Sequence, residues 1–108
     1  MNLGGFAGYI LHINLTDKTI ERTPLDFALA KNFIGGLGLT LKLAYDAIQP
    51  GVDALDPDNT IVLGAGPLVG TDLPATSRVF AVTKLPSSGT IGWCGAGGFH
   101  FGCELKNA

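Results

Sequence analysis

Glycine constrains this chain more than any other residue type does. Sixteen of its 108 residues are glycine, roughly twice average usage. Most of them gather around positions 35–38, 64–70 and 89–102. Such loops let the backbone approach a ligand closely and adopt positive φ. Successive N–H groups in them form anion-binding nests, and a following helix start adds further donors. The run Gly95-Ala96-Gly97-Gly98, leading into a predicted helix at Phe99, has that arrangement. A tight turn between strand and helix explains the same run equally well.

Hydrophobic residues make up 46% of the chain and charged residues 15%. Disorder needs the opposite balance, so the chain folds into a globular body. The low charge also points to surface buried against something else. With a net charge of −2 and no basic stripe, the electrostatic footprint of nucleic acid binding is missing. No apolar run approaches the roughly 20 residues needed to span a bilayer. The start of the chain lacks the basic and apolar regions of a signal peptide. A cytoplasmic location is therefore expected, with Cys94 and Cys103 reduced. Two thiols cannot complete a four-ligand zinc or iron–sulfur site.

Residues 8–15 alternate, with Leu11, Ile13 and Leu15 on one face and Ile10, His12 and Asn14 on the other. Turn residues Thr16-Asp17-Lys18 and a β-branched stretch over 19–23 follow. The pattern predicts an amino-terminal hairpin in which His12 is a strand-face residue rather than a ligand. Phe27, Ala30 and Ile34 recur at helical spacing, which predicts a short helix over 26–33 stopped by Gly35-Gly36. A second helix carries Leu37, Leu41, Ala44 and Ile48 and ends before Pro50-Gly51. The acidic stretch 53–59 lacks the glycine and final glutamate of a calcium loop and reads as a solvated loop. Strands are predicted over 60–63 and 79–83. The glycine- and proline-rich connector between them must be held by tertiary contacts or a ligand. A last helix over 99–106 stops at Asn107-Ala108 with no cap, which suggests a truncated chain. The expected fold class is α+β, with mixed or antiparallel sheets and short helices.

Neither Gly36-Leu37-Gly38 nor Gly64-Ala65-Gly66 meets the strand–turn–helix context of a dinucleotide fingerprint, and each lacks the third glycine. Arg78, one of only two arginines, precedes an apolar strand. There it can pair bidentately with phosphate or carboxylate. Lys84 shares its face by parity. Two solvated strand-end cations are the alternative. Spacing supports no catalytic triad and no paired carboxylates, and Cys94 and Cys103 read as small packed residues. No catalytic residue is assigned.

Several separated motifs, in order, resemble the amino-terminal domain of the aldehyde ferredoxin oxidoreductase family. They are Gly8-Tyr9-Ile10-Leu11-His12-Ile13-Asn14-Leu15-Thr16, then Ala30-Lys31-Asn32-Phe33-Ile34-Gly35-Gly36 with Gly38-Leu39, then Asp56-Pro57-Asp58-Asn59. Next come Gly64-Ala65-Gly66-Pro67-Leu68-Val69-Gly70-Thr71, Arg78, Val82-Thr83-Lys84, Pro86, Gly89, Gly97-Gly98-Phe99 and Glu104-Leu105-Lys106. The resemblance implies a tungstopterin cofactor, two molybdopterin dithiolenes holding tungsten or molybdenum. It implies that Arg78 lies by a pterin phosphate and that the Gly95–Gly98 loop, with Ala96 and Gly97, lines the cofactor. It also implies that the Gly95 backbone carbonyl ligates a magnesium ion joining two phosphates. Such enzymes oxidise aldehydes to carboxylic acids and pass electrons through a 4Fe–4S cluster to ferredoxin.

Three departures stand out. Leu37 occupies a position that is arginine in the family, and the stretch between Gly98 and Glu104 is one residue longer than usual. The family's cluster cysteines and substrate pocket lie in later domains. Residues 1–108 are therefore expected to be an incomplete pterin-binding domain, inactive alone, with exposed apolar surface that drives self-association or homo-oligomer formation. The alternatives are a non-catalytic pterin-binding or subunit-interaction module, or the matching part of a benzoyl-coenzyme A reductase-type subunit.

Overall fold

The amino-terminal alternation produces an antiparallel hairpin in the computed structural model, which describes residues 4–98 and 100–108. Strand β1 (Tyr9–Asn14) pairs with β2 (Thr19–Pro24), placing Ile13 opposite Ile20. Asn14 builds the turn. Its Oδ1 accepts from the Thr16 and Asp17 N–H groups at 2.9 and 3.1 Å, and its Nδ2 donates to Asp17 at 2.9 Å. β1 is shorter than residues 8–15 because Gly8 turns out of the extended region at φ 85° and Leu15 belongs to the turn. His12 Nε2 and Thr23 Oγ1 form a cross-strand hydrogen bond of 3.0 Å, so the imidazole serves the hairpin. The opposite face leaves Ile13 60%, Leu15 85% and Ile20 69% exposed.

Helix α1 (Phe27–Phe33) begins one residue later than expected because Asp26 is its cap, accepting from the Ala28 N–H at 3.0 Å. Its end also differs. Ile34, not a glycine, takes the left-handed position at φ 64°, a strained choice for a β-branched residue. Gly35 follows at φ 100°, and Gly36 already opens helix α2 (Gly36–Ala47).

A second sheet contains β3 (Val62–Ala65), β4 (Val79–Lys84) and β5 (Ile91–Ala96), antiparallel, with β4 in the middle. Its two faces are covered by different helices. On one, Ala44 and Ile48 of α2 bury against Val82, flanked by Leu37, Leu41, Val52 and Val62. On the other, Val79 and Val69 meet the buried Gly102 of helix α3 (Phe101–Asn107). The α2 face explains why β3 sits two residues later than the apolar run 60–63. A Cβ at Gly64 would lie 1.9 Å from Thr40 Oγ1, so the strand includes the glycine that lets α2 approach.

Tertiary contacts hold the long connector. Thr76 Oγ1 donates to the Leu68 and Leu73 carbonyls, and Lys106 Nζ reaches the Pro67 and Val69 carbonyls at 2.8 and 2.7 Å. The Lys106 bonds tie the end of α3 to the connector. That helix starts at Phe101, and Ala108 caps it through a hydrogen bond to the Glu104 carbonyl. The expected start at Phe99 lies outside the described residues. In the acidic loop, Asp53 and Asp56 accept the Leu55 and Asp58 N–H groups, while Asn59 pins the loop to the Thr83–Lys84 end of β4.

Candidate functional site

Arg78 immediately precedes β4, and its side chain folds over β5. A Cβ built at Gly95 would lie 2.6 Å from Arg78 Nη1 and 3.4 Å from its Cδ. The hairpin across residues 85–90 creates this proximity, pairing Val79 with Ala96 and Phe80 with Gly95. It is closed by Leu85 N–H to the Thr90 carbonyl at 2.9 Å and Gly89 N–H to the Leu85 carbonyl at 2.8 Å. Gly95 thus supplies the space that the guanidinium occupies. Among the described residues Arg78 has no hydrogen-bond or ion-pair partner, and the only ion pair is Lys42–Asp46. Its charge faces outward and is free for an added anion.

The expected Gly95–Gly98 loop is shorter than the sequence suggests. Gly95 and Ala96 are the last two residues of β5, and only Gly97, at φ 71°, and Gly98 lie beyond the strand. The ladder continues to Ala96 because its partner Val79 is fully buried and anchors that end of the sheet. β5 is the outer strand of its sheet, so one side of its backbone is not consumed by pairing. Gly95 can therefore offer its carbonyl and N–H groups from a strand edge that runs into a glycine turn.

Other candidates separate from this point. Lys84 closes the far end of β4 and donates to the Val52 carbonyl, six residues or about 20 Å of strand from Arg78. It fastens the loop after α2 and cannot share an anion with Arg78. Leu37, set where the resemblance leads one to expect an arginine, packs against the Ala44–Ile48–Val82 cluster as an apolar contact. Cys94 is exposed rather than packed, and Cys103 is half-buried. Reading glycine and charge alone misses Phe80 and Trp93. Strand parity, which puts residues 93 and 95 on one face, is the signal that finds them. Their rings stand edge-on with centroids 5.8 Å apart.

Comparison with known proteins gives one consistent result. Residues 10–108 match the family model described as aldehyde ferredoxin oxidoreductase, N-terminal domain. The chain is 38% identical over 104 residues to the tungsten-containing aldehyde ferredoxin oxidoreductase of Pyrococcus abyssi and 40% identical to that of Pyrococcus furiosus. Each alignment covers 96% of this chain and 17% of the relative, so the chain spans about a sixth of their length. Among solved structures it resembles the active site complex BamBC of benzoyl coenzyme A reductase in complex with 1,5-dienoyl-CoA. There the TM-score is 0.88 at 32% identity, over 94% of this chain and 16% of that one.

Proposed function

Because the chain belongs to the aldehyde ferredoxin oxidoreductase family, we propose that it forms part of the seat of a tungstopterin cofactor. The observation that carries this reading is the unpaired Arg78 guanidinium lying over Gly95. A phosphate needs a charge-assisted partner and nearby backbone donors, and this end of the sheet offers both. Arg78 neutralises and orients one pterin phosphate. Gly97 and Gly98 would bring N–H groups close to it, Ala96 would continue the backbone toward them, and the Gly95 carbonyl would be a ligand for magnesium. The bound metal–pterin group supplies the redox chemistry, while the protein supplies binding and electrostatics. In the longer protein the reaction is oxidation of an aldehyde to a carboxylic acid in the cytoplasm. A 4Fe–4S cluster held elsewhere would supply the electron path to ferredoxin. Among the described residues no helix is long and apolar enough to cross a membrane.

The test is elemental analysis of the protein purified from pterin-producing cells grown with tungstate. Tungsten should co-purify with the chain and fall at least several-fold in Arg78→Ala. Equal tungsten in both proteins removes Arg78 as an anchor. The likeness to the benzoyl coenzyme A reductase complex supports a second reading, reduction of an aromatic thioester. Assaying the longer protein with viologen against an aldehyde and against an aromatic coenzyme A thioester separates the two.

Two further outcomes follow from this reading. The 108-residue chain, given metal-pterin, an aldehyde and a viologen acceptor, should show no turnover above the cofactor blank. Among the described residues no group of three or more His, Cys, Asp or Glu side chains converges, and no carboxylate forms an ion pair with Arg78. Turnover above the blank would contradict it. The bare hairpin face of Leu11, Ile13, Leu15 and Ile20 should make the chain self-associate, as exposed apolar patches do. Sedimentation velocity at high concentration should show a dimer or larger species that reverts to monomer in Ile13→Lys/Ile20→Lys. A wild-type monomer at every concentration would count against it.

A further inference from the structure

We infer that Trp93 is the surface against which the ring system of the phosphate-bearing ligand rests, a specificity-determining contact beside the Arg78 anchor. Gly95 pairs with Phe80 and Trp93 with Val82, so Phe80, Gly95 and Trp93 share one face of the sheet. Arg78 lies over Gly95 on that face. Trp93 stands two residues from Gly95, a spacing of about 7 Å along a strand. That separation suits a planar heterocycle joined to its phosphate by a short linker.

The indole is held in place yet left open. Phe80 abuts it edge-on, with the ring planes at 71°. The Phe80 ring is itself backed by the start of α2, its Cε2 lying 3.9 Å from a Cβ built at Gly36. Trp93 nevertheless remains 53% exposed. Arg78 does not stack on it; the cation–ring contacts among the described residues are Arg22 on Tyr9 and Lys42 with Tyr45. A large aromatic ring that is rigidly buttressed, exposed and adjacent to an unpaired guanidinium matches the two ends of a phosphorylated heteroaromatic molecule. Stacking on the indole face recognises the ring, and the guanidinium recognises the phosphate. The inference rests on the proposed pterin-phosphate reading and adds the ring contact to it.

Trp93 is the only tryptophan in the chain, so intrinsic emission reports on it alone. The chain is titrated with a pterin monophosphate and, separately, with inorganic phosphate; emission is corrected for pterin absorbance, and affinities are measured by equilibrium dialysis. Pterin monophosphate should quench Trp93 emission saturably, and inorganic phosphate should leave it within a tenth of its starting value. Trp93→Ala should weaken pterin monophosphate about ten-fold, the scale of one lost stacking contact, and change inorganic phosphate less than two-fold. Trp93→Phe should keep most of the affinity, which separates loss of stacking from misfolding. Arg78→Ala should weaken both ligands. If Arg78→Ala weakens both but Trp93→Ala changes neither, the ring contact is overturned and the phosphate anchor stands. If no binding depends on Arg78, both fall together.

Discussion

Gly64→Ala should destabilise the chain by about 3 kcal/mol, the upper end of overpacking costs. For a domain of this size that lowers Tm by roughly 10–20 °C. The added methyl would stand 1.9 Å from Thr40 Oγ1 and 3.1 Å from Thr40 Cβ. Thr40 cannot swing away easily. It is 2% exposed, sits in the middle of α2, and its hydroxyl donates to the Gly36 carbonyl at 2.6 Å. Relief therefore requires α2 to move off β3, which also opens the cluster of Ala44, Ile48 and Val82. Thr40→Ala removes the clashing hydroxyl and methyl, so the double variant should be more stable than the sum of the two single costs. Thermal and urea unfolding of all four proteins gives the coupling directly. A cost below about 1 kcal/mol for Gly64→Ala would mean that the helix does not approach the strand this closely.

The same substitution at Gly95 should have the opposite character. A methyl there meets Arg78 Nη1 at 2.6 Å, but that atom is the far end of a flexible, exposed side chain. The arginine moves and the backbone does not. Gly95 keeps an ordinary strand φ, so alanine should leave stability unchanged or raise it by up to about 1 kcal/mol, the usual cost of glycine in a strand. Phosphate affinity should still fall, because the guanidinium is displaced from its seat. Arg78→Ala should lose the contact altogether, about 1.5–3 kcal/mol for a charge-assisted pair, or roughly ten- to a hundred-fold in affinity. Dialysis against phosphate and thermal unfolding, measured on wild type, Gly95→Ala and Arg78→Ala, form the comparison. Full phosphate affinity in both variants would show that the guanidinium over Gly95 holds nothing.

The contrast between these two glycines marks what the sequence could reveal. The amino-terminal hairpin and both amino-terminal helices follow from period and turn chemistry, because local preference and global fold agree there. Gly64 looked like the start of a loop because glycine is poor in strands. Its reason for being in β3 is Thr40, 24 positions earlier, which no local window contains. The run Gly95-Ala96-Gly97-Gly98 reads as a nest or turn, although the buried Val79 opposite Ala96 extends the strand through Ala96. Ile34 is a third case: the glycines after it invited the left-handed role, yet the turn closes one residue sooner. At the site, Arg78 was legible from its position before a strand. Trp93 was not, since its relevance depends on the strand pairing that sets it on one face of the sheet with Phe80 and Gly95.

One measurement addresses the central claim most directly: a crystal structure of the protein loaded with its tungsten–pterin cofactor. The predicted result is a pterin phosphate oxygen within hydrogen-bonding distance, about 3 Å, of the Arg78 guanidinium, on the face of β5 that Gly95 leaves open. A cofactor whose phosphates all lie farther than about 12 Å from Arg78, beyond the reach of two hydrogen bonds and an ion's width, would contradict it.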